Sequence, residues 1–512
     1  MRSLLEVVLF SYLLLPGLSW AKKIQILHTN DLHSHFTGYP YDREVTVGYL
    51  ALKKAIDHFK EEGLHQGMES LVLDGGDFAE GGTSYVASRG ELSFEALNLL
   101  GHDAAVLGNH DWLMGEEELR GVLEKVKPKY QLLAANINFS GNYPLLREVI
   151  APYTTFYLNG IKIAVLGLTT DEIYYSWRLK ESSFRDPSIV AREYAPLLKE
   201  GHDVVIALTH VGVKKDRDLV EKSWGIDLVV GGHSHDRLDA PLYSTNRRGE
   251  QIPIVQTGCF ARYLGRLILD IDEETNAVSL VEYKLYPLNS KGDDAALKKL
   301  IETSKEEMRN SFGNSFYEEE IAYSTVDLVN NPKTPTYFGD LMAEAMIESS
   351  DADIAIHIPG LAGDSLPAGP ITENLLLSSY PRVFEFEDHP YFWTLWTIKV
   401  RGLLLKGLLK VISLTGFALH VQGVNGDEKF DDLRVDGRKI SWFKEYTVVM
   451  PEGFLRALSE INYLNFFVGK KIEDTGVVFI EALKEKFSRM KIITSQNEKS
   501  IKRKNFMFIP GR

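Results

Sequence analysis

Six short apolar runs dominate the first half of the chain: "KIQIL", "SLVLD", "AAVLG", "KIAVLGL", "DVVIAL" and "IDLVVGG". They are rich in Val, Ile and Leu and mostly do not alternate with polar residues, which predicts strands buried on both faces. Amphipathic stretches such as "ELSFEALNLLG" and "VAREYAPLLKEG" lie between them, the second closing on a glycine helix stop. Strands alternating with helices predict an α/β layer architecture for residues 22 to 290. Because the chain has 512 residues, further domains must follow.

Nearly every run ends in a polar cluster. After "KIQIL" come His28, Asn30, Asp31, His33 and His35; after "SLVLDGG", Asp77; after "AAVLG", Asn109, His110 and Asp111. His210 follows "VVIAL", and a Gly-Gly pair leads from "DLVV" to His233 and His235. Ligands of open α/β sheets bind beyond the carboxyl ends of the strands, so these clusters should converge on one cleft. Mixed Asp, Asn and His without cysteine suits borderline-hard divalent ions such as Mn, Zn, Fe or Co. Seven such donors are too many for one site with open positions. They suit two ions sharing a carboxylate, an arrangement that clamps the oxygens of an in-line displacement at phosphorus.

The segments "TNDLHSH", "GGDF", "GNHD", "LTHVG" and "GGHSH" make residues 24 to 290 resemble the calcineurin-like metallophosphoesterases, in particular the secreted 5'-nucleotidase and UDP-sugar hydrolase family. The resemblance implies a layered αββα domain holding two divalent metal ions. Asp31, His33 and His235 would hold one ion, Asn109, His210 and His233 the other, and Asp77 would bridge them. His110 would face the substrate phosphate as the catalytic donor. His28 and His35 match no ligand position and are expected to pack or to support the ligands. One departure stands out. The family usually reads G-N-H-E-F-D, its last Asp orienting the histidine; here "GNHDWL" puts Leu113 at that place, so His110 needs another partner or turns over slowly.

Residues 291 to 319 contain a polar amphipathic stretch, "DDAALKKLIETSKEEMRNSF", that predicts a linker helix. Residues 320 to 512 resemble the family's α+β substrate domain in the order of "YFGDLMAEAMIESSDADIAI", "LPAGPITENLL", "LHVQGV" and "EYTVVMPEGFL". The family grips nucleotides here with two arginines and an asparagine, and sandwiches the base between two aromatic rings. The arginine positions fall at Thr334 and Gly363 and the asparagine at Ile358. Phe454 and either Phe384 or Phe386 are the candidate aromatics. The metal centre therefore reads as intact and the nucleotide grip as dismantled, since Thr and Gly offer none of the bidentate recognition of arginine.

The first 21 residues carry one Arg, an apolar run, a Pro-Gly break and a Ser19-x-Ala21 site, the pattern of a signal peptide for periplasmic or secreted export. No later stretch is long enough to span a membrane. Cys259 is the only cysteine, so no intrachain disulfide forms. The net charge of -14, with basic residues clustered only in the tail from Lys484, argues against a nucleic-acid polymer as partner. It permits a small anionic phosphate ester, because a local metal charge overrides the global sign. The expected function is exported di-metal phosphoester hydrolysis on a nucleotidase-like scaffold. The rivals are a catalytically decayed binding protein and a sulfur-ester hydrolase of the same superfamily.

Overall fold

A computed structural model describes residues 22–39, 48–272, 274–382, 392–413, 418–426, 432–460, 472–495 and 506–508. The expected signal peptide at 1–21, and Phe384 and Phe386, lie outside them.

The apolar runs form two stacked sheets. In the seven-stranded sheet, Lys22–Thr29, Ser70–Asp74, Ala104–Val106, Gln131–Leu133 and Ile150–Ala151 run parallel in that order. Tyr263–Ile271 and Val278–Pro287 complete it antiparallel on the far side of Lys22–Thr29. In the six-stranded sheet, Ile161–Thr169, Val204–His210, Leu228–Val230 and Gln251–Val255 run parallel, flanked by antiparallel Tyr153–Leu158 and Leu242–Thr245.

Successive strand residues point to opposite faces, which divides each run between two cores. Ile24, Ile26, Leu71, Leu73, Val106, Val165, Ile206, Leu208 and Val230 fill the space between the sheets. Their neighbours Leu27, Val72 and Ala105 instead meet Leu52, Phe94 and Leu119 of the helices Gly48–His65, Glu91–Leu100 and Glu116–Val126. On the other side Leu166, Val205, Ala207 and Val229 meet Val190, Ala195 and Leu219 of Pro187–Gly201 and Val213–Lys222. The result is an αββα sandwich. Its helices start where local chemistry allows: Asp186 accepts from the backbone N–H groups of Ser188 and Ile189, and Pro187 supplies a preset first turn.

The helix Ala295–Phe312, inside the expected linker, is capped by the Asp294 carboxylate and ends before Gly313. Its Leu297, Leu300 and Met308 belong to the same buried cluster as Phe94 and Leu97 of the sandwich and Phe338 and Leu483 beyond it. The second domain has a mixed sheet ordered Ile472–Val478, Thr394–Arg401, Glu445–Pro451, Ile354–His357, Leu419–Gln422 and Phe506–Phe508. Helices Tyr337–Glu348 and Phe479–Met490 cover one face of it through Phe338, Leu341 and Leu483, which join Ala355, Leu395 and Val449. The other face packs Ile354, Ile398 and Val448 onto Leu405, Leu408 and Phe454.

His28, first of the histidine run, is a packing residue. It sits opposite Gly265 in the strand pair and stacks on Tyr283 with centroids 6.1 Å apart. Burial drives its pKa down to about 3, so it stays neutral. A Cβ at Gly265 would fall 2.0 Å from His28 Nε2, so only glycine fits beside the ring. Gly265→Ala is expected to destabilise the protein by about 1–3 kcal/mol through overpacking, read as a lowered urea midpoint.

Candidate metal centre

The carboxyl ends of Lys22–Thr29, Ser70–Asp74 and Ala104–Val106 in one sheet, and of Val204–His210 and Leu228–Val230 in the other, open onto the same cleft. There the chain turns sharply. Asp31, His33, Asp77, His233 and His235 all have positive φ, between 47° and 80°. Non-glycine residues rarely adopt this region, and each such residue costs on the order of 1–3 kcal/mol. These five candidate ligands therefore sit at strained turns of the backbone. The backbones also approach closely: a Cβ at Gly108 would lie 2.2 Å from Asp77 Oδ1, and one at Gly232 would lie 2.4 Å from the Gly75 carbonyl.

Two groups of ligand-type atoms result, each within a 4.8 Å span: Asp31, His33 and His235, and Asp77, His210 and His233. Asp77 Oδ2 lies between them, 3.0 Å from His210 Nε2, 3.7 Å from His33 Nε2 and 4.0 Å from His110 Nε2. Burial works against its charge, yet His210, His110 and His33 hold its carboxyl well below the usual carboxylate range. Asp77 in turn carries His210, which burial alone would lower, up to about 9.

The surrounding groups aim these side chains. His210 donates Nδ1–H to the Gly75 carbonyl at 2.7 Å, and His33 donates Nδ1–H to the Glu80 carbonyl at 2.5 Å. Both Nε2 atoms are thereby turned into the cleft, as metal-binding histidines require. Asn30 donates to Asp31 Oδ2 at 2.6 Å, and the His233 backbone N–H donates to the same oxygen at 3.0 Å.

The donor set fits divalent cations. His33 Nε2 and His235 Nε2 are 3.1 Å apart, a spacing that two imidazoles tolerate when they share a proton or a cation. Asn109 is buried, and neither its Oδ1 nor its Nδ2 has a hydrogen-bond partner among the described residues. An orphaned buried amide is costly unless something else binds it.

His110 has its carboxylate after all. Its Nδ1–H donates to Glu80 Oε2, from the loop after Ser70–Asp74, and not to position 113. Glu80 is buried and is held by Arg382 of the second domain, whose Nη1 donates to Oε1 at 2.8 Å and to Oε2 at 2.7 Å. Burial opposes its charge, but Arg382 and His110 bring the Glu80 pKa down to about 2. Of the two outcomes expected at Leu113, slow turnover or another partner for His110, the structure shows another partner: Leu113 packs in the apolar cluster, and the carboxylate comes from a different loop. Asp111 is occupied elsewhere, accepting from the backbone N–H groups of Asp77, Ala79 and Gly108.

Three further residues join the cleft that the motifs did not single out. Glu172 Oε1 lies 3.7 Å from His233 Nε2. Tyr175 stands over the cleft with its ring 6.3 Å from His110 and 6.2 Å from His233. Phe260 packs against His33, His35 and His235. Glu172 and Tyr175 follow the strand Ile161–Thr169, so the strand-end rule would have found them in "TTDEIYY" had that run been followed as well. His35 leaves the cleft and meets the second domain, with Nε2 2.9 Å from Asp364 Oδ1.

In the second domain, Thr334 caps a turn through its backbone N–H to Asn331, and Ile358 is buried. Gly363 has no room for any side chain, since a Cβ there would lie 2.3 Å from the Ser378 carbonyl. Phe454 is buried in the core of the domain.

An αββα sandwich with a histidine–carboxylate cluster at its strand ends defines a metal-dependent hydrolase of phosphoric esters. Residues 24–237 match the calcineurin-like phosphoesterase domain and residues 318–460 the 5'-nucleotidase C-terminal domain. The chain therefore combines a calcineurin-like phosphoesterase domain with a 5'-nucleotidase C-terminal domain. It is 29% identical to a 5'-nucleotidase of Vibrio cholerae and 27% identical to protein UshA of Escherichia coli, each match covering 90% of both chains. Among solved structures, the 5'-nucleotidase precursor of Thermus thermophilus shares the fold at a TM-score of 0.77 and 21% identity, covering 92% of this chain and 97% of that one.

Phe454 truncation is expected to act on the fold. Phe454→Ala should destabilise the protein by about 3–5 kcal/mol, the usual range for removing a buried aromatic, as measured by chemical denaturation.

Proposed function

We propose that the chain is an exported di-metal phosphoesterase whose substrate is a small phosphate ester that need not be a nucleotide. Asp31, His33 and His235 would hold one divalent ion, Asn109, His210 and His233 the other, and Asp77 would be shared between them. The observation that carries this reading is the pair of donor groups linked through Asp77 Oδ2, which lies 3.0 Å from His210 Nε2 and 3.7 Å from His33 Nε2. Mn, Zn, Fe and Co all suit such donors. Ions bound there supply Lewis-acid activation of the phosphoryl group and of water.

The chain's own residues do the rest. His33 and His210 keep Nε2 directed inward because their Nδ1–H groups are committed to carbonyls. His110 presents Nε2 to the same space while Nδ1 is held by Glu80, which places it to donate to an equatorial or leaving oxygen as charge develops there. Export rests on the sequence of residues 1–21. Among the described residues no helix is long and apolar enough to cross a membrane.

The closed space at Gly363 and the residues at Thr334 and Ile358 support a substrate gripped mainly through its phosphate. Two missing arginine contacts, each worth about 1.5–3 kcal/mol, would weaken nucleotide binding by on the order of 10² or more. The carboxylate on His110 speaks against the reading of a decayed binding protein.

The test combines metal analysis with turnover. Asp77→Ala should lose more metal than any terminal-ligand variant. His110→Ala should keep both ions and lose turnover by on the order of 10² or more. On metal-reconstituted wild type, AMP should be hydrolysed no better than a small aryl phosphate. Two retained ions in Asp77→Ala, or a marked preference for AMP, would sink the corresponding part of the proposal.

A further inference from the structure

We propose that Glu80 and Arg382 are positioning residues for His110, and that the second domain thereby sets the orientation of a side chain in the first domain's cleft. The inference rests on the reading of His110 as the group that faces substrate.

His110 needs a fixed ring. One nitrogen must point at the reacting phosphate, and the other must carry a proton committed elsewhere. Relatives of this type place a carboxylate three residues after the histidine, and here that position is Leu113, buried among apolar side chains. Glu80 takes over from a different loop. It accepts from His110 Nδ1–H, which leaves Nε2 facing Asp77 Oδ2 at 4.0 Å.

Glu80 is itself fully buried, and a carboxylate in that setting needs a cation. Among the described residues the one that supplies it is Arg382, through Nη1 to both oxygens. Arg382 belongs to the loop 378–382, which is pinned against the backbone of the second domain. Gly363 N–H donates to the Ser379 carbonyl at 2.8 Å, and the Pro381 ring lies where a Gly363 side chain would start. The chain His110–Glu80–Arg382 thus crosses from the cleft into the second domain. Neighbouring contacts hold the same seam: His35 with Asp364, and Thr83 Oγ1 donating to Asn374 Oδ1 at 3.0 Å. The arginine that the second domain brings to this cleft is engaged with Glu80, so its work is to orient and not to grip substrate.

The test uses the full chain loaded with Mn²⁺ and an aryl phosphate. Glu80→Gln should keep both ions and change KM less than about threefold, while kcat falls by on the order of 10². Arg382→Met should lower kcat about tenfold and Arg382→Lys should restore most of it. Glu80→Gln/Arg382→Met should be no slower than Glu80→Gln alone, because both changes act through one link. An independent readout, taken on protein loaded with diamagnetic Zn²⁺ in place of Mn²⁺, is ¹⁵N NMR of the histidine rings: the His110 Nδ1–H signal should be present in the wild type and lost or shifted in Glu80→Gln and Arg382→Met.

An unchanged kcat and an unchanged Nδ1–H signal in Glu80→Gln would reduce the triad to an interdomain ion pair and overturn the proposal. Should Glu80→Gln fail to fold, the Arg382→Met and Arg382→Lys pair decides by the same two readouts. Should the loaded wild type hydrolyse no phosphate ester, the phosphoesterase reading fails by itself, and the NMR signal still decides whether Glu80 and Arg382 set the ring of His110.

Discussion

A single oxygen, Asp77 Oδ2, organises the cleft. His210, His33 and His110 each turn a ring nitrogen towards it, within 3.0 to 4.0 Å. Crowding imidazoles in a buried space is unfavourable unless negative charge or cations compensate. Asp77 is buried and charged, and it stays charged because those rings surround it. Removing it would leave the cluster without the group to which every other one is referred. The strained backbone at Asp31, His33, Asp77, His233 and His235 follows from the same demand, since the side chains reach a common point only if the chain turns abruptly at each strand end.

The sandwich beneath makes that strain tolerable. Both sheets are buried on both faces, so the strand ends cannot relax without disturbing two cores at once. Rigid strands then carry short, irregular loops whose only freedom is in the side chains. This division of labour explains why glycines such as Gly108 and Gly232 sit where one loop's backbone meets another's carboxylate or carbonyl.

Much of this was legible in the sequence, and the reasons are physical. Buried strands leave continuous apolar runs, and the strand-end rule turns each polar cluster that follows into a prediction about one place. Asp31, His33 and His235 form one group of ligand-type atoms and Asp77, His210 and His233 another, while Asn109 is buried without a hydrogen-bond partner among the described residues; their individual roles remain those proposed above. Glu80 was not legible. It lies in "GGDFAEGG" as an ordinary acidic loop residue, and its meaning comes from Arg382, which is 302 positions away in the chain. No local pattern encodes a contact of that span. Leu113 left two outcomes open for the complementary reason: a missing residue in a motif signals a lost interaction only if nothing else in three dimensions replaces it, and here Glu80 does. Phe454, a candidate base-stacking aromatic in the sequence, is packed within the core of the second domain on the helix Glu452–Glu460.

The crowded surroundings of Gly363 bear on how this chain could have diverged. A side chain there collides with the Ser378 carbonyl and the Pro381 ring, and the same loop carries Arg382 to Glu80. An arginine at position 363 and an arginine at position 382 in its present place are therefore mutually exclusive states of one loop. No single substitution leads from one to the other. Room for a side chain at position 363 is thus tied to the place of Arg382, so the two positions cannot be changed independently.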